Sequence, residues 1–255
     1  MSNNSPSRHP SISIIIPLYN EEENLYPLVE SIFKVLSADA DFLELLLVDD
    51  GSYDRTEKMA LDLAAREPRI RLIGHGRNRG LGAAIRTGLQ AAKGDLILYT
   101  DADLPFDFKL IPELLTQATG NNVVIGYRAN RGEGLRRYVL TKGYNLICRL
   151  ALGLRVHDIN FACKLIPRRA LRGMRLSSEG SFIDAELLIE CRRQGFIITE
   201  FPLVYYPRTR GLSTLSRPMV IAGILTEMFR YILRRHRTGF EPVYEFVEET
   251  DNKRG

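Results

Sequence analysis

Along the first half of the chain, short apolar runs alternate with longer stretches in which apolar residues return every three or four positions. The runs at 12–16, 45–48, 70–73, 96–99 and 123–125 are short and rich in Ile, Leu and Val, which predicts buried strands. Between the first two, Leu25, Leu28, Val29, Ile32, Phe33 and Leu36 repeat at helical spacing, behind an Asn20 and Glu23 pair with the form of a capping box. Asp54 is placed to cap a second helix through Met59 and Leu63, which must stop near Pro68. A third helix is expected from about 81 to 92, with Gly94 as the residue that ends it. This alternation predicts an α/β fold, a mostly parallel sheet covered by helices on both faces. Such sheets bind ligands beyond the carboxyl ends of their strands, so the loops found there carry the functional question.

After Gly126 the rhythm changes. A basic helical stretch at 134–152 precedes a strand candidate at 161–166, a helix at 182–193 and strand candidates at 196–201 and 203–205. The last element, from 218 to about 237, is amphipathic: Val220, Ile221, Ile224, Leu225, Met228, Phe229 and Ile232 share one face. Arg230, Arg234, Arg235 and Arg237 gather towards its end. Neither an internal repeat nor a low-complexity linker appears. The expected organisation is a flexible N-terminus at 1–11, one domain at 12–216, an amphipathic helix at 217–238 and an acidic tail at 239–255.

Composition narrows the classes. With 45% hydrophobic and 26% charged residues over 255 positions, the chain is neither disordered nor a disulfide scaffold. Cys148, Cys163 and Cys191 are few, scattered and odd in number, and no two of the four histidines stand four apart, so a disulfide frame and a zinc site are both disfavoured. The polar opening M-S-N-N-S-P-S-R-H-P lacks a signal-peptide core, and no segment reaches the roughly 18 uninterrupted apolar residues of a membrane span. A cytoplasmic location is expected. Charge is unevenly spread: residues 128–175 hold twelve Lys or Arg against Glu133 and Asp158. That excess suits an anionic partner such as a phosphate, a nucleic acid or a lipid headgroup, or simply a solvated face.

Three of the strand-end loops are acidic. The first strand leads to P-L-Y-N-E at 17–21, the second to Asp49, Asp50, Gly51, Ser52 and Asp54, and the fourth to Asp101-Ala102-Asp103. Two carboxylates in D-x-D spacing at a strand end can share one hard cation, Mg²⁺ or Mn²⁺, with phosphate oxygens completing the coordination. Asp54 reads more simply as a helix cap. The loop G-R-N-R-G-L-G at 76–82 is no dinucleotide fingerprint, and no phosphate-binding P-loop follows any strand, so nicotinamide cofactors and P-loop chemistry are disfavoured.

Taken in order, I-I-I-P-L-Y-N-E at 14–21, V-D-D-G-S with Asp54 and Thr56, N-R-G-L-G at 78–82 and D-A-D at 101–103 resemble the motifs of inverting family-two glycosyltransferases of the GT-A fold. The subgroup looks like the dolichol-phosphate mannose synthases and bacterial polyprenyl-phosphate glycosyltransferases. G-Y-R at 126–128, the Arg136-Arg137 pair, and Asp158 with Phe161 and Lys164 resemble its acceptor-side segments. R-T-R-G-L-S-T-L at 208–215 is similar to its R-x-x-G-x-S-K-L motif, with Thr214 in place of the Lys; Pro105 stands where a polar residue often helps to hold the metal.

The resemblance implies a GT-A domain with a nucleotide-sugar half at 12–105 and an acceptor half at 106–216. It implies that Pro17, Tyr19, Glu21 and Asp50 bind the nucleoside of a UDP- or GDP-sugar, with Gly80 and Ala102 lining that site. Asp101 and Asp103 would hold the diphosphate and its metal. A polyprenyl phosphate would be the acceptor, clamped by Arg128, Arg137, Lys164, Arg208 and Ser213, with Arg128 and Asp103 acting at the reacting centre. A lipid phosphate is already anionic and needs no general base. Relatives with hydroxyl acceptors use an aspartate near the position of Asp184 as base, so a glycan or other hydroxyl acceptor stays open as the alternative. A lipid acceptor implies a peripheral contact with the cytoplasmic leaflet, for which the C-terminal helix is the candidate, although the same face could pack on the domain or on a partner subunit. A homo-oligomer or membrane partner subunit is left open. Aromatics suited to base stacking are sparse in the basic stretch, which argues against nucleic acid.

Overall fold

The computed structural model describes residues 10–36, 41–129, 135–206 and 218–236. The predicted alternation is present: β1 (Ile12–Leu18), α1 (Leu25–Leu36), β2 (Phe42–Asp49), α2 (Thr56–Arg66), β3 (Ile70–Gly74), α3 (Leu81–Ala91) and β4 (Leu96–Thr100). A short helix, α4 (Ile111–Thr116), then leads to β5 (Asn122–Arg128), α5 (Leu135–Leu152), β6 (Cys163–Pro167), α6 (Ile183–Arg193), β7 (Ile197–Leu203) and α7 (Pro218–His236).

The strands form one seven-stranded sheet in the order β3-β2-β1-β4-β6-β5-β7. β1 runs parallel to β2 and β4, β2 to β3, and β5 to β7, while β6 alone is reversed, antiparallel to β4 and β5. Side chains alternate between two apolar layers, as pleated strands require. Ile15, Leu46, Ile97 and Ile125 join α3, α5, α6 and α7 on one face. Ile14, Leu45, Leu98 and Val124 join α1 and α4 on the other. This is the mostly parallel, helix-flanked sheet expected from the alternation.

Three local expectations fail for physical reasons. Helix α1 starts at Leu25 rather than beside Asn20, because Asn20 takes a left-handed conformation (φ 56°) and its side-chain oxygen accepts from the Tyr53 amide at 2.9 Å. Gly94 does not end α3 in a left-handed turn. It is needed because its backbone presses on β1, where an added Cβ would come within 2.5 Å of the Ser13 nitrogen. The two strand candidates near residue 200 are a single strand, β7, which accommodates Pro202 because it is the edge of the sheet. Helix α7 packs on the domain through Ile224, Met228 and Tyr231, whereas Leu225, Phe229 and Leu233 remain exposed. Among the described residues no helix is long and apolar enough to cross a membrane.

Candidate active site

Because β1 to β4 are parallel neighbours, their carboxyl ends lie along one edge and bring the candidate loops together. Both non-glycine residues with positive φ among the described residues belong to these loops: Asn20 after β1, and Leu104 (φ 51°) just beyond the D-x-D sequence. Such conformations cost of order 1–3 kcal/mol each and persist where the surroundings impose them. Asp101 and Asp103 are half-buried, and between them Ala102 is buried in the apolar layer shared with α1 and α4.

The loops after β1 and β2 are laced to each other. The Asn20 amide donates to Ser52 Oγ at 2.9 Å, and the Glu21 amide donates to Thr56 Oγ1 at 2.8 Å. The Glu21 carboxylate accepts from Asn24 Nδ2 at 2.6 Å. Asp54 accepts from the Thr56 amide at 2.9 Å, but the N-cap of α2 is Arg55, so Asp54 braces the turn one residue before the cap read for it. Pro17 lies near the end of β1 in register with Val48. Tyr19 is 44% exposed and meets the still more exposed Tyr53 edge to face, with ring centroids 6.1 Å apart. This leaves two aromatic surfaces open at the mouth of the site.

Asp50 organises the next loop. One carboxylate oxygen meets His75 Nδ1 at 2.7 Å and accepts from the Arg79 amide at 2.9 Å. The other accepts from the Gly80 amide at 2.8 Å. The opposite ring nitrogen of His75 meets Thr87 Oγ1 on α3 at 2.8 Å. Asp50 therefore shapes the 75–80 loop, and the Gly80 amide is committed to it. Gly80 has a φ of 94° and presses against the Glu179 carbonyl, so only glycine fits there.

Beneath the D-x-D loop lies a buried polar stack that the sequence did not announce. The Tyr99 hydroxyl, on β4, donates to Asp101 Oδ1 at 3.4 Å. Burial, reinforced by the charges of Asp101, Asp184 and Asp103, pushes that hydroxyl well above the usual tyrosine range and keeps it a donor. Reversed β6 places Lys164 directly opposite Tyr99, with its ammonium 5.3 Å from the ring centroid. Lys164 donates to the Phe161 carbonyl at 3.0 Å and pairs with Asp184 Oδ1 at 2.6 Å, their side chains only 1% and 4% exposed. Burial raises the Asp184 carboxyl above its ordinary value, against the opposing pull of Lys164. Lys164, expected at the acceptor phosphate, is thus enclosed and paired inside the domain.

Arg128 ends β5 and pairs with Asp158 at 2.6 Å, its guanidinium held over the rings of Phe161 and Tyr205. The side chain of Arg137, and Arg208 and Ser213 altogether, lie outside the described residues. Tyr99, His75 and Glu186 are the polar residues that sequence reading passed over. The signal for Tyr99 was its period-two relation to Asp101. For Glu186 it was a carboxylate inside the apolar run of α6, where it accepts from the Ser177 and Ser178 amides at 3.0 and 2.8 Å.

Among the described residues, no group of three or more His, Cys, Asp or Glu could hold a metal ion. A cation at Asp101 and Asp103 would therefore take its remaining ligands from diphosphate and water. That division suits Mg²⁺ or Mn²⁺ bound together with a phosphorylated substrate, so the two hard carboxylates fit such an ion.

The chain matches the Glycosyl transferase family 2 model over residues 13–175. It is 30% identical over 236 residues to the dodecaprenyl-phosphate galacturonate synthase of Rhizobium johnstonii, covering 89% of this chain and 69% of that protein. It is 31% identical over 232 residues to the dolichol-phosphate mannosyltransferase of Pyrococcus furiosus, covering 88% and 63%. The chain spans between 36% and 69% of the length of four of the curated relatives it matches. Its fold superposes on glucosyl-3-phosphoglycerate synthase from Mycobacterium tuberculosis in complex with Mn²⁺ and UDP-glucose, with a TM-score of 0.65, 26% identity and coverage of 85% and 78%. A helix-flanked, mostly parallel sheet with Asp101-Ala102-Asp103 at the end of its fourth strand, matched over these spans, makes this chain a member of glycosyl transferase family 2.

Proposed function

We propose that this protein transfers a sugar, with inversion, from a UDP- or GDP-sugar to a polyprenyl phosphate. The observation that carries the reading is the pair of half-buried carboxylates, Asp101 and Asp103, set on the same carboxyl edge of the sheet as the Asp50-organised loop. Relatives named for dodecaprenyl and dolichol phosphates support the acceptor class.

In this reading Pro17, Tyr19, Glu21 and Gly80 border the nucleoside, Tyr19 and Tyr53 offering faces for the base. Asp50 acts at one remove, by holding the loop. Asp101 and Asp103 would hold Mg²⁺ or Mn²⁺, which when bound neutralises charge on the departing nucleoside diphosphate. Arg128, with Arg137, Arg208 and Ser213, orients the acceptor phosphate, whose oxygen attacks the anomeric carbon opposite the leaving group. Lys164 supports the site from below rather than touching the acceptor. Asp184 is paired with Lys164 and sealed from solvent, which weighs against its service as a general base for a hydroxyl acceptor.

A lipid acceptor requires a membrane surface, and two exposed apolar stripes suit one: Leu146, Ile147 and Leu150 on α5, and Leu225, Phe229 and Leu233 on α7 beside Arg230. The cytoplasmic leaflet is the surface proposed. The test is nucleoside diphosphate release across a panel of UDP- and GDP-sugars, with Mn²⁺, Mg²⁺ or EDTA, and with or without undecaprenyl or dolichyl phosphate. Release that depends on both the lipid phosphate and the cation is expected. Release stimulated by a soluble hydroxyl acceptor and indifferent to lipid phosphate would establish the alternative.

A further inference from the structure

The segment at 177–180 is gripped from two helices. Glu186 of α6 accepts from the amides of Ser177 and Ser178. Glu227 of α7 accepts from the next two, Glu179 at 3.0 Å and Gly180 at 2.8 Å. Four successive amides are thus held by two carboxylates, the second reaching from an element 47 residues away. The carbonyls of the same segment face the nucleotide side. The Glu179 carbonyl accepts from the Gly82 amide at 2.7 Å in the first turn of α3, and the Ser178 carbonyl accepts from Arg86. Gly80 and Gly82 lie so close that an added Cβ would meet the Glu179 and Ser178 oxygens at 2.3 and 2.1 Å. Beyond them, the Gly80 amide continues the chain of bonds to Asp50.

From this geometry we infer that Glu227 is a positioning residue which couples the seating of α7 to the shape of the nucleotide-side loop at 76–82, and so to nucleotide affinity. The carboxylate needs to touch no substrate. It fixes the 177–180 backbone, which has no slack against the two glycines, and the register of Gly80 sets where Asp50 and its loop rest. Charge-assisted bonds from one carboxylate to two amides are among the stronger hydrogen bonds in proteins, and Gly180 lets the carboxylate come in close, since an added Cβ there would lie 3.1 Å from Glu227 Oε2. The inference rests on the nucleotide-sugar reading for its effect on affinity, but the mechanical coupling can be measured without it.

The test uses the full chain with Glu227→Ala and Glu227→Gln, and Tyr231→Phe as a variant that removes the 3.3 Å bond from α7 to Glu190 while leaving Glu227 in place. Amide hydrogen exchange is followed in the segments 76–86 and 177–182, and UDP and GDP binding is measured by calorimetry with Mn²⁺. For Glu227→Ala, exchange in both segments should quicken about tenfold, and the nucleotide dissociation constant should rise by a similar factor, the scale of a lost charge-assisted bond. Turnover at saturating donor should change less than the donor KM. Glu227→Gln retains an acceptor oxygen and should recover much of the exchange protection even if the alanine variant folds poorly. Tyr231→Phe should leave 76–86 unchanged. Quickened exchange confined to 177–182, or equal effects from Tyr231→Phe, would overturn the coupling. If the wild-type chain binds neither UDP nor GDP, the nucleotide-sugar reading fails, while the exchange data still decide the clamp.

Discussion

Asparagine at position 101 or 103 keeps the shape of the aspartate it replaces and removes one negative charge. Each substitution should cut sugar transfer by about 100-fold or more, the scale of losing a preorganised electrostatic group, without lowering the unfolding midpoint. Steady-state assays in Mn²⁺ beside thermal unfolding check this, and full turnover of either variant in excess EDTA would refute the metal assignment. A second residue-scale prediction concerns the enclosed pair. Lys164→Met leaves Asp184 buried without its partner and should cost about 3–5 kcal/mol in urea unfolding, whereas Lys164→Met with Asp184→Leu should recover most of it. Single-sided loss of stability with double-sided recovery would mark the pair as structural. The aspartates were legible because strand-end spacing displays them directly. The role of Lys164 was not, because a lysine inside a basic stretch reads as a phosphate contact until the reversal of β6 lays it against Tyr99.

At the scale of elements, α7 illustrates how an amphipathic pattern divides. Its apolar positions read as one face, yet Ile224, Met228 and Tyr231 serve the domain core, while Leu225, Phe229 and Leu233 face outward. Truncating the helix would therefore damage the core, and substitution of the outer stripe is the cleaner probe. Phe229→Ser with Leu225→Ser should reduce flotation on anionic vesicles several-fold without lowering the unfolding temperature. Salt should weaken the wild-type interaction, since each arginine near a charged bilayer contributes about 1 kcal/mol. Unchanged flotation would remove α7 as the contact. Most elements were visible in hydrophobic periodicity, because burial imposes a period of two on strands and near four on helices. Their junctions were less visible. The start of α1 and the place of Gly94 depend on contacts with β2 and β1 that no local window contains.

For the molecule as a whole, the two apolar layers account for all three cysteines. Burial pushes Cys148 up to about 11, and Cys163 and Cys191 to about 12. These thiols stay protonated and enclosed at pH 8, so a thiol reagent should label none of them in the native protein and all three once it is denatured. Labelling of the native chain would show that the layers open. Sheet order bears on how the chain is made as well as on what it binds. β1 to β4 pair among themselves from the first hundred residues, but the free edge of β4 waits for β6, and β5 waits for β7. On a ribosome adding about 5–20 residues per second, the D-x-D strand emerges several seconds before the chain that covers it. During that interval the half-built sheet presents an open strand edge, a surface that a chaperone or a second nascent copy can pair with.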